Sequence, residues 1–373
     1  MVKVVFIIDS LRRHVTQRFL AHLVRGLHDL GYEQSVITLN SASFPNIEQA
    51  LFSAGCAITR IGKYSLLLGG FGWWRLVVAL KQLKPEAVMT MLDFADTLGR
   101  PAARLAGCRA LVTSIRARNL AKPSWQRWFD RKTISWADKV VFNSRHIVSY
   151  GCQNEGVRNE QVVVIPNGVE DLRTRTGALR SQYRQQLGLP PETLLFGSVA
   201  GLNRQKNLAL LLRAAKKLPA HWPWRILLVG DGPERARLLA LGQGLGLSDR
   251  LILLGERDDV EGWLAAMDIF VHTAKFEGMP NAVMEAMAMG LPVVASAVDG
   301  TRELIEDGVS GYLLPPGDVD AFAERIHGLI EDPEAAHRLG ERAHHKVLER
   351  FGLSRMIQAY DHLFRSLVTP ESA

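Results

Sequence analysis

The chain has 373 residues, 47% of them hydrophobic, with 45 Lys and Arg against 38 Asp and Glu for a net charge of +7. That length suggests two domains, and the composition is that of an ordinary soluble globular protein, which excludes a disordered or fibrous chain. Cys56, Cys108 and Cys152 are scattered without a CxxC pair, which argues against a disulfide framework or a cysteine zinc site and fits a reducing cytosol.

The run Met1–Asp9 is too short for a secretory signal and meets an aspartate at once, so it reads as a buried first strand over Val2–Ile8. No apolar stretch approaches the ~20 residues that a transmembrane helix needs, so the expected location is cytoplasmic, peripheral on the cytoplasmic face of a membrane at most. Further β-rich apolar runs follow at Ser35–Leu39, Ala57–Ile61, Ala87–Met91, Ala110–Ser114, Lys139–Asn143 and Val162–Ile165. Helical patterns at Arg18–Leu30, Trp73–Leu83 and Thr97–Ala106 lie between them. Short strands alternating with helices predict an α/β protein with a mostly parallel sheet covered on both faces.

Pro166-Asn167-Gly168 interrupts the pattern with a turn, because Pro sets φ and Asn and Gly tolerate positive φ. The pattern restarts with a helix around Leu179–Leu187 and strands at Leu194–Val199, Arg225–Val229, Leu251–Leu254, Ile269–His272 and Pro292–Ala295. The expected domains are therefore 1–168 and 169–350, with a C-terminal helix in 351–373 returning to the first. Ligands bind such sheets at the carboxyl ends of the strands, and with two domains the natural site is the cleft between them. The charge is uneven: residues 1–168 hold 22 basic and 11 acidic residues. The first domain is thus the half expected to meet an anionic partner.

The most informative stretch runs from Thr273 to Ala295. A strand ends near Thr273, and a loop carries Glu277 and Gly278. Asn281 reads as the N-cap of a helix reaching about Met289, which Gly290 ends. Free N–H groups at a helix N-terminus suit a diphosphate. Glu277 stands just before that terminus, and Glu285, one turn inside, is placed to accept from two adjacent hydroxyls. By composition alone the same residues read as two solvated glutamates flanking an ordinary turn. A second loop, Ser198 to Asn207, carries Arg204 and Lys206 at a strand end, where cations would neutralise a diphosphate leaving group. No GxGxxG follows the first strand, and its nearest echo, Gly230-Asp231-Gly232, lacks the third glycine of a dinucleotide site. No His or Cys cluster is present, so neither a catalytic metal nor a cofactor is expected.

Two glutamates separated by seven residues, in Glu277-Gly-Met-Pro-Asn281 through Glu285-Ala-Met-Ala-Met-Gly290-Leu-Pro-Val-Val-Ala, closely resemble the EX7E signature of the retaining family 4 glycosyltransferases of GT-B fold. Ile165 to Glu170 resembles that family's interdomain segment, Leu227 to Glu234 its V-G-D-G-P-E turn, and Asp299 to Gly311 its terminal motif. The likeness is close in the second half and looser in the first. It implies two Rossmann-like domains whose parallel sheets face a central cleft. It also implies retaining, metal-independent transfer of a sugar from a nucleoside diphosphate sugar, UDP favoured, to a saccharide acceptor.

By the same resemblance Glu285 would hold the donor ribose and Glu277 the transferred sugar. Gly278, Met279, Pro280, Asn281 and Ala282 would present backbone to sugar and diphosphate. Gly230, Gly232 and Arg257 would frame the donor. Lys206 fits the family's Lys, whereas the usual Arg position is Gly201, leaving Arg204 to act from a shifted place. The family's Gly-Gly pair after the first strand is absent, with Arg12 and Arg13 in that segment. The family's His is replaced by Arg116, which can bind hydroxyls or phosphate but cannot serve as a base. A non-catalytic nucleotide-sugar-binding protein, or a phosphorylase or epimerase of similar fold, remains open.

Two stretches bear on membranes. Ser65–Arg75 is apolar and aromatic, and Lys122–Lys132 interleaves Trp125 and Trp128 with Arg127, Arg131 and Lys132. Such mixtures suit an interfacial helix on anionic lipid, as a lipid-linked acceptor in polysaccharide or lipopolysaccharide assembly would require. A core position for the aromatics and a soluble acceptor are the alternatives.

Overall fold

Apolar runs spaced by amphipathic helices build two parallel sheets. The computed structural model describes residues 1–12, 15–62, 71–117, 119, 122–173 and 176–369. Arg13 and residues 63–70, the core of the first aromatic stretch, lie outside that set. The chain divides into one unit of Met1–Gly168 with Leu353–Ala373 and another of Val169–Gly352.

The first unit holds β1 Lys3–Ile8, β2 Glu33–Thr38, β3 Ala57–Arg60, β4 Ala87–Met91, β5 Ala110–Ile115, β6 Lys139–Phe142 and β7 Val162–Val164. They pair in parallel in the order β3-β2-β1-β4-β5-β6-β7. Alternate residues of β1 face opposite cores, which explains why its sequence is continuously apolar. Val4, Phe6 and Ile8 pack with the Val15–Asp29 helix, and Val5 and Ile7 with the helices Phe71–Leu83 and Asp93–Leu105. The last helix, Leu353–Val368, carries its apolar stripe at Met356, Tyr360, Leu363 and Phe364 into the same cluster as Phe6. A segment at the far end of the sequence thus completes the first unit.

The second unit holds β8 Leu194–Val199, β9 Trp224–Val229, β10 Leu251–Gly255, β11 Ile269–His272, β12 Val293–Ser296 and β13 Tyr312–Leu314 in the order β10-β9-β8-β11-β12-β13. The short strand β13 was not expected. Both sheets are Rossmann-like: consecutive strands run outward one way, then the order restarts on the other side. The restart opens a crevice at the carboxyl ends of β1 and β4 in one unit and of β8 and β11 in the other, where ligands bind such sheets.

The first crevice is capped by Asp9, just past β1. Its carboxylate accepts from the Ala95 N–H at 2.6 Å and the Phe94 N–H at 3.4 Å, at the start of the Asp93–Leu105 helix. Leu92, the residue before that helix, sits at φ 77°, a strained position for a branched side chain. Burial pushes the Asp9 carboxyl up to about 6 against the lowering by those two amides, and the charge of Asp93 adds to the rise. Between pH 4 and 6 the folded chain therefore keeps a proton that the unfolded chain has lost, so this group's contribution to stability falls as pH rises through that window. Asp9→Asn keeps an acceptor for the helix and removes the charge. Its melting temperature relative to the parent should climb from pH 4 to pH 7, and parallel pH curves for the two proteins would refute the assignment.

Candidate active site

The loops after β8 and β11 meet at the second crevice. The Lys275 N–H donates to the Gln205 carbonyl at 2.9 Å, and Gln205 Nε2 donates back to the Phe276 carbonyl at 2.9 Å. The Thr273 hydroxyl donates to the Lys206 carbonyl at 2.7 Å. With both backbones fixed, Lys206 Nζ forms an ion pair with Glu277 Oε1, and both side chains are mostly buried. Gln205 Nε2 lies 3.4 Å from the same oxygen.

The helix Asn281–Ala288 starts directly beyond. Asn281 is its first residue and not its N-cap: Pro280 holds that place in an extended conformation, with no side-chain cap. Proline's fixed φ pre-sets the entry into the helix, and its ring offers no acceptor to the first-turn N–H groups. The Val283 N–H donates to the Pro280 carbonyl at 3.1 Å, and Pro280 supplies no side-chain cap to the first turn. The helix closes as expected at Gly290, where the Gly290 and Leu291 N–H groups return to the Met287 and Ala286 carbonyls. Glu285 is half-buried one turn inside, beside the half-buried Ala282, while Met279 and Pro280 are buried.

Close backbone approaches hold this arrangement. A Cβ on Gly300 would sit 2.2 Å from the Gly278 carbonyl oxygen, and the Gly300 N–H donates to the Glu277 carbonyl at 3.2 Å. A Cβ on Gly230 would meet the Ala200 carbonyl oxygen at 2.0 Å, and one on Gly232 the Leu202 carbonyl oxygen at 2.5 Å. The two glycines of the β9 turn are thus required by the protein's own 200–202 loop, which the turn supports through the Leu202 N–H to the Asp231 carbonyl at 2.9 Å.

His272, at the end of β11, was not singled out from sequence. It is buried, its Nε2 has no partner, and burial together with the charge of Lys206 pushes it down to about 3. A neutral imidazole therefore lies close enough to Lys206 to feel its charge.

Residues 16–173 match the family described as Glycosyltransferase Family 4, and residues 180–346 the family described as Glycosyl transferases group 1. Together these two matches support a GT-B glycosyltransferase of the family 4 kind. It is similar to the lipopolysaccharide core biosynthesis glycosyltransferase LpsE of Rhizobium meliloti (strain 1021), at 32% identity over 193 residues, covering 52% of this chain. The chain spans about half the length of that relative, 56%. It is also similar to the UDP-Gal:alpha-D-GlcNAc-diphosphoundecaprenol alpha-1,3-galactosyltransferase of Escherichia coli, at 28% identity over 304 residues, covering 78% of this chain and 77% of that one. Among solved structures, Anabaena Alr3699/HepE in complex with UDP-glucose shares the fold with a TM-score of 0.84 at 24% identity, covering 98% of this chain and 100% of that chain.

Not every expected residue converges on this site. Arg204 leaves the Lys206–Glu277 pair: its side chain is 86% exposed and lies 3.6 Å from Glu234. Arg257 is exposed, with its guanidinium 5.8 Å from the Trp263 ring. In the first unit the Arg116 guanidinium stacks 3.6 Å from the Phe19 ring centroid and donates to Asn167 Oδ1. Burial lowers its pKa, opposed by the neighbouring Tyr360 hydroxyl. Arg12 is exposed, as are Trp125, Arg127, Trp128, Arg131 and Lys132. Gly300→Ala forces the 277–280 loop to shift. It should lower stability by about 1–3 kcal/mol, as overpacking does, measurable by denaturant melts, and an unchanged midpoint would show that the loop yields freely.

Proposed function

We propose that the chain transfers a sugar from a UDP-sugar to a saccharide carried on a lipid, in the assembly of a cell-surface polysaccharide or lipopolysaccharide. In this reading transfer proceeds with retention, without a metal, on the cytoplasmic face of a membrane. The observation that carries it is the Lys206–Glu277 pair held beside the N-terminus of the Asn281–Ala288 helix, at the β8/β11 crevice. The helix N–H groups receive the diphosphate, since they and the helix dipole favour an anion. Lys206 then exchanges Glu277 for the phosphates and supplies the positive charge a metal would otherwise bring. The released Glu277 carboxylate binds hydroxyls of the transferred sugar, and Glu285 holds the ribose.

The two relatives support the acceptor and donor classes through their own names, one acting in lipopolysaccharide core synthesis and one on a diphosphoundecaprenol-linked sugar with UDP-Gal. For retention the acceptor hydroxyl attacks the anomeric carbon on the face that the diphosphate leaves. The new C–O bond forms as the sugar–phosphate bond breaks, and the hydroxyl proton passes to the departing phosphate oxygen.

Glu285→Ala should weaken UDP binding roughly ten- to hundredfold, the worth of about 1.5–3 kcal/mol for a charged hydrogen bond. Glu277→Ala should leave UDP binding nearly intact and lower turnover with the sugar donor. Calorimetric titration with UDP separates the two, and unchanged UDP affinity in Glu285→Ala would overturn the ribose assignment.

The reaction itself is read by NMR on the first-formed product, with donor and lipid-linked acceptor, in the presence of a chelator. UDP should appear only when acceptor is present, and the product anomer should match the donor. An inverted anomer, or loss of turnover with chelator, would remove the retaining or the metal-independent part. Dependence on inorganic phosphate would make the protein a phosphorylase instead.

A further inference from the structure

A surface helix ordinarily buries its apolar stripe and shows its polar one. The Ser124–Thr133 helix does the reverse. Its buried residues are Gln126, Asp130 and Thr133, while Trp125 and Trp128 are 60% and 63% exposed. Trp136, just past the helix, is exposed as well.

The polar face is locked inward by a buried network. Gln126 Nε2 donates to Thr97 Oγ1 at 2.9 Å, and that hydroxyl donates to Asp130 Oδ1 at 2.8 Å. Asp130 also takes Arg100 at 2.6 Å and Lys122 at 3.0 Å, and Lys122 reaches Glu155 at 3.1 Å. All four charged side chains are nearly wholly buried. Rolling the helix over would strip Asp130 of its partners inside the protein, a strongly unfavourable change. The outward tryptophans are therefore fixed in place by the fold.

Beside Trp128 lies a groove of about 510 Å³ lined by Ser124, Arg127, Trp128, Arg131, Lys132 and Asn154. Three cations line it and no acidic side chain does. Among the described residues none of these cations is held in an ion pair. Indole rings settle at the headgroup level of a bilayer, and guanidinium and ammonium groups bind phosphate. Charge complementarity thus selects an anionic surface that also has an apolar layer behind it.

We propose that this face docks on an anionic lipid bilayer, with the groove seating a lipid phosphate headgroup between Arg127, Arg131 and Lys132 while Trp125 and Trp128 enter the interface. For its purpose this rests on the reading of a lipid-carried acceptor. The buried network reaches the carboxyl end of β4: Lys122 lies 3.4 Å from Asp93, which also accepts from Asn119 at 2.5 Å. Docking by this helix therefore holds the strand-end loops of the first unit at a set height over the lipid.

The test is co-sedimentation of the full chain with vesicles of phosphatidylglycerol and phosphatidylcholine, against vesicles of phosphatidylcholine alone. Binding should occur to the former at low salt and fade at high salt, with a blue shift of tryptophan fluorescence. The triple reversal Arg127→Glu, Arg131→Glu, Lys132→Glu should lower partitioning at least tenfold, and Trp125→Ala with Trp128→Ala should abolish the blue shift. Reversal of Lys81 and Lys84, basic residues elsewhere in the first unit, should do neither. Equal loss in that control would mean diffuse charge and overturn the proposal, as would unchanged binding in the triple variant or competition by free phosphate equal to that by vesicles. Thermal melts verify that each variant is folded. UDP titration of the same variants reads the donor site separately, so lost vesicle binding with intact UDP binding falls on the groove and not on the transferase reading.

Discussion

The second unit depends on two strand-end loops bonding to each other where the strand order restarts. Gln205 and Lys275 join backbone to backbone, and Thr273 reaches the Lys206 carbonyl. Because these bonds fix main chain, the Lys206 and Glu277 side chains need no further persuasion to meet. The neighbouring motifs serve the same contact: Gly230 and Gly232 let the β9 turn come up under residues 200–202, and Gly300 lets the Asp299–Leu304 helix press on residues 277–280. Glycines that look like ligand-binding signatures in the sequence are here explained first by the approach of the protein's own backbone. A ligand inherits the rigidity that this approach creates.

Much of the architecture is legible in the sequence because buried parallel strands are continuous apolar runs with abrupt ends. Ala87–Met91, Leu194–Val199 and Ile269–His272 could be bounded to the residue for that reason. The strand Tyr312–Leu314 is three residues long and carries too little pattern. At the site, Lys206 and Glu277 were each legible from their motifs, but their pairing joins positions 71 residues apart, which only the sheet order decides. His272 gave no signal, since one histidine closing an apolar strand looks like strand punctuation. Arg116 was legible as a strand-end cation, yet its partner Tyr360 arrives from the last helix.

The Ser124–Thr133 helix shows the limit of periodicity most clearly. Trp125, Trp128 and Phe129 at helical spacing mark a stripe, and a stripe does not say which way it faces. The direction was decided by Asp130 and Gln126, whose partners Thr97, Arg100 and Lys122 come from outside the helix. Buried ion pairs of this kind contribute little net stability against an apolar core of the same size, because desolvation offsets most of the attraction. Their effect is specificity. An apolar inner face could exchange places with the tryptophan face at small cost, whereas a face carrying Asp130 cannot.

The two units thus handle charge in opposite ways. In the first, burial fixes a polar helix face, and Arg127, Arg131 and Lys132 are left outward with no carboxylate partner among the described residues. In the second, the cation that matters is drawn inward and paired, Lys206 with Glu277, above a histidine that burial keeps neutral. A protonated His272 would add a second positive charge beside Lys206, which Glu277 alone would not balance. With His272 held at about 3, the imidazole does not change charge near neutral pH, and the site's electrostatics rest on groups that a ligand can rearrange: Lys206, Glu277 and the helix N–H groups. In the proposed function, exchange of one carboxylate for one diphosphate both admits the donor and frees Glu277 for the sugar.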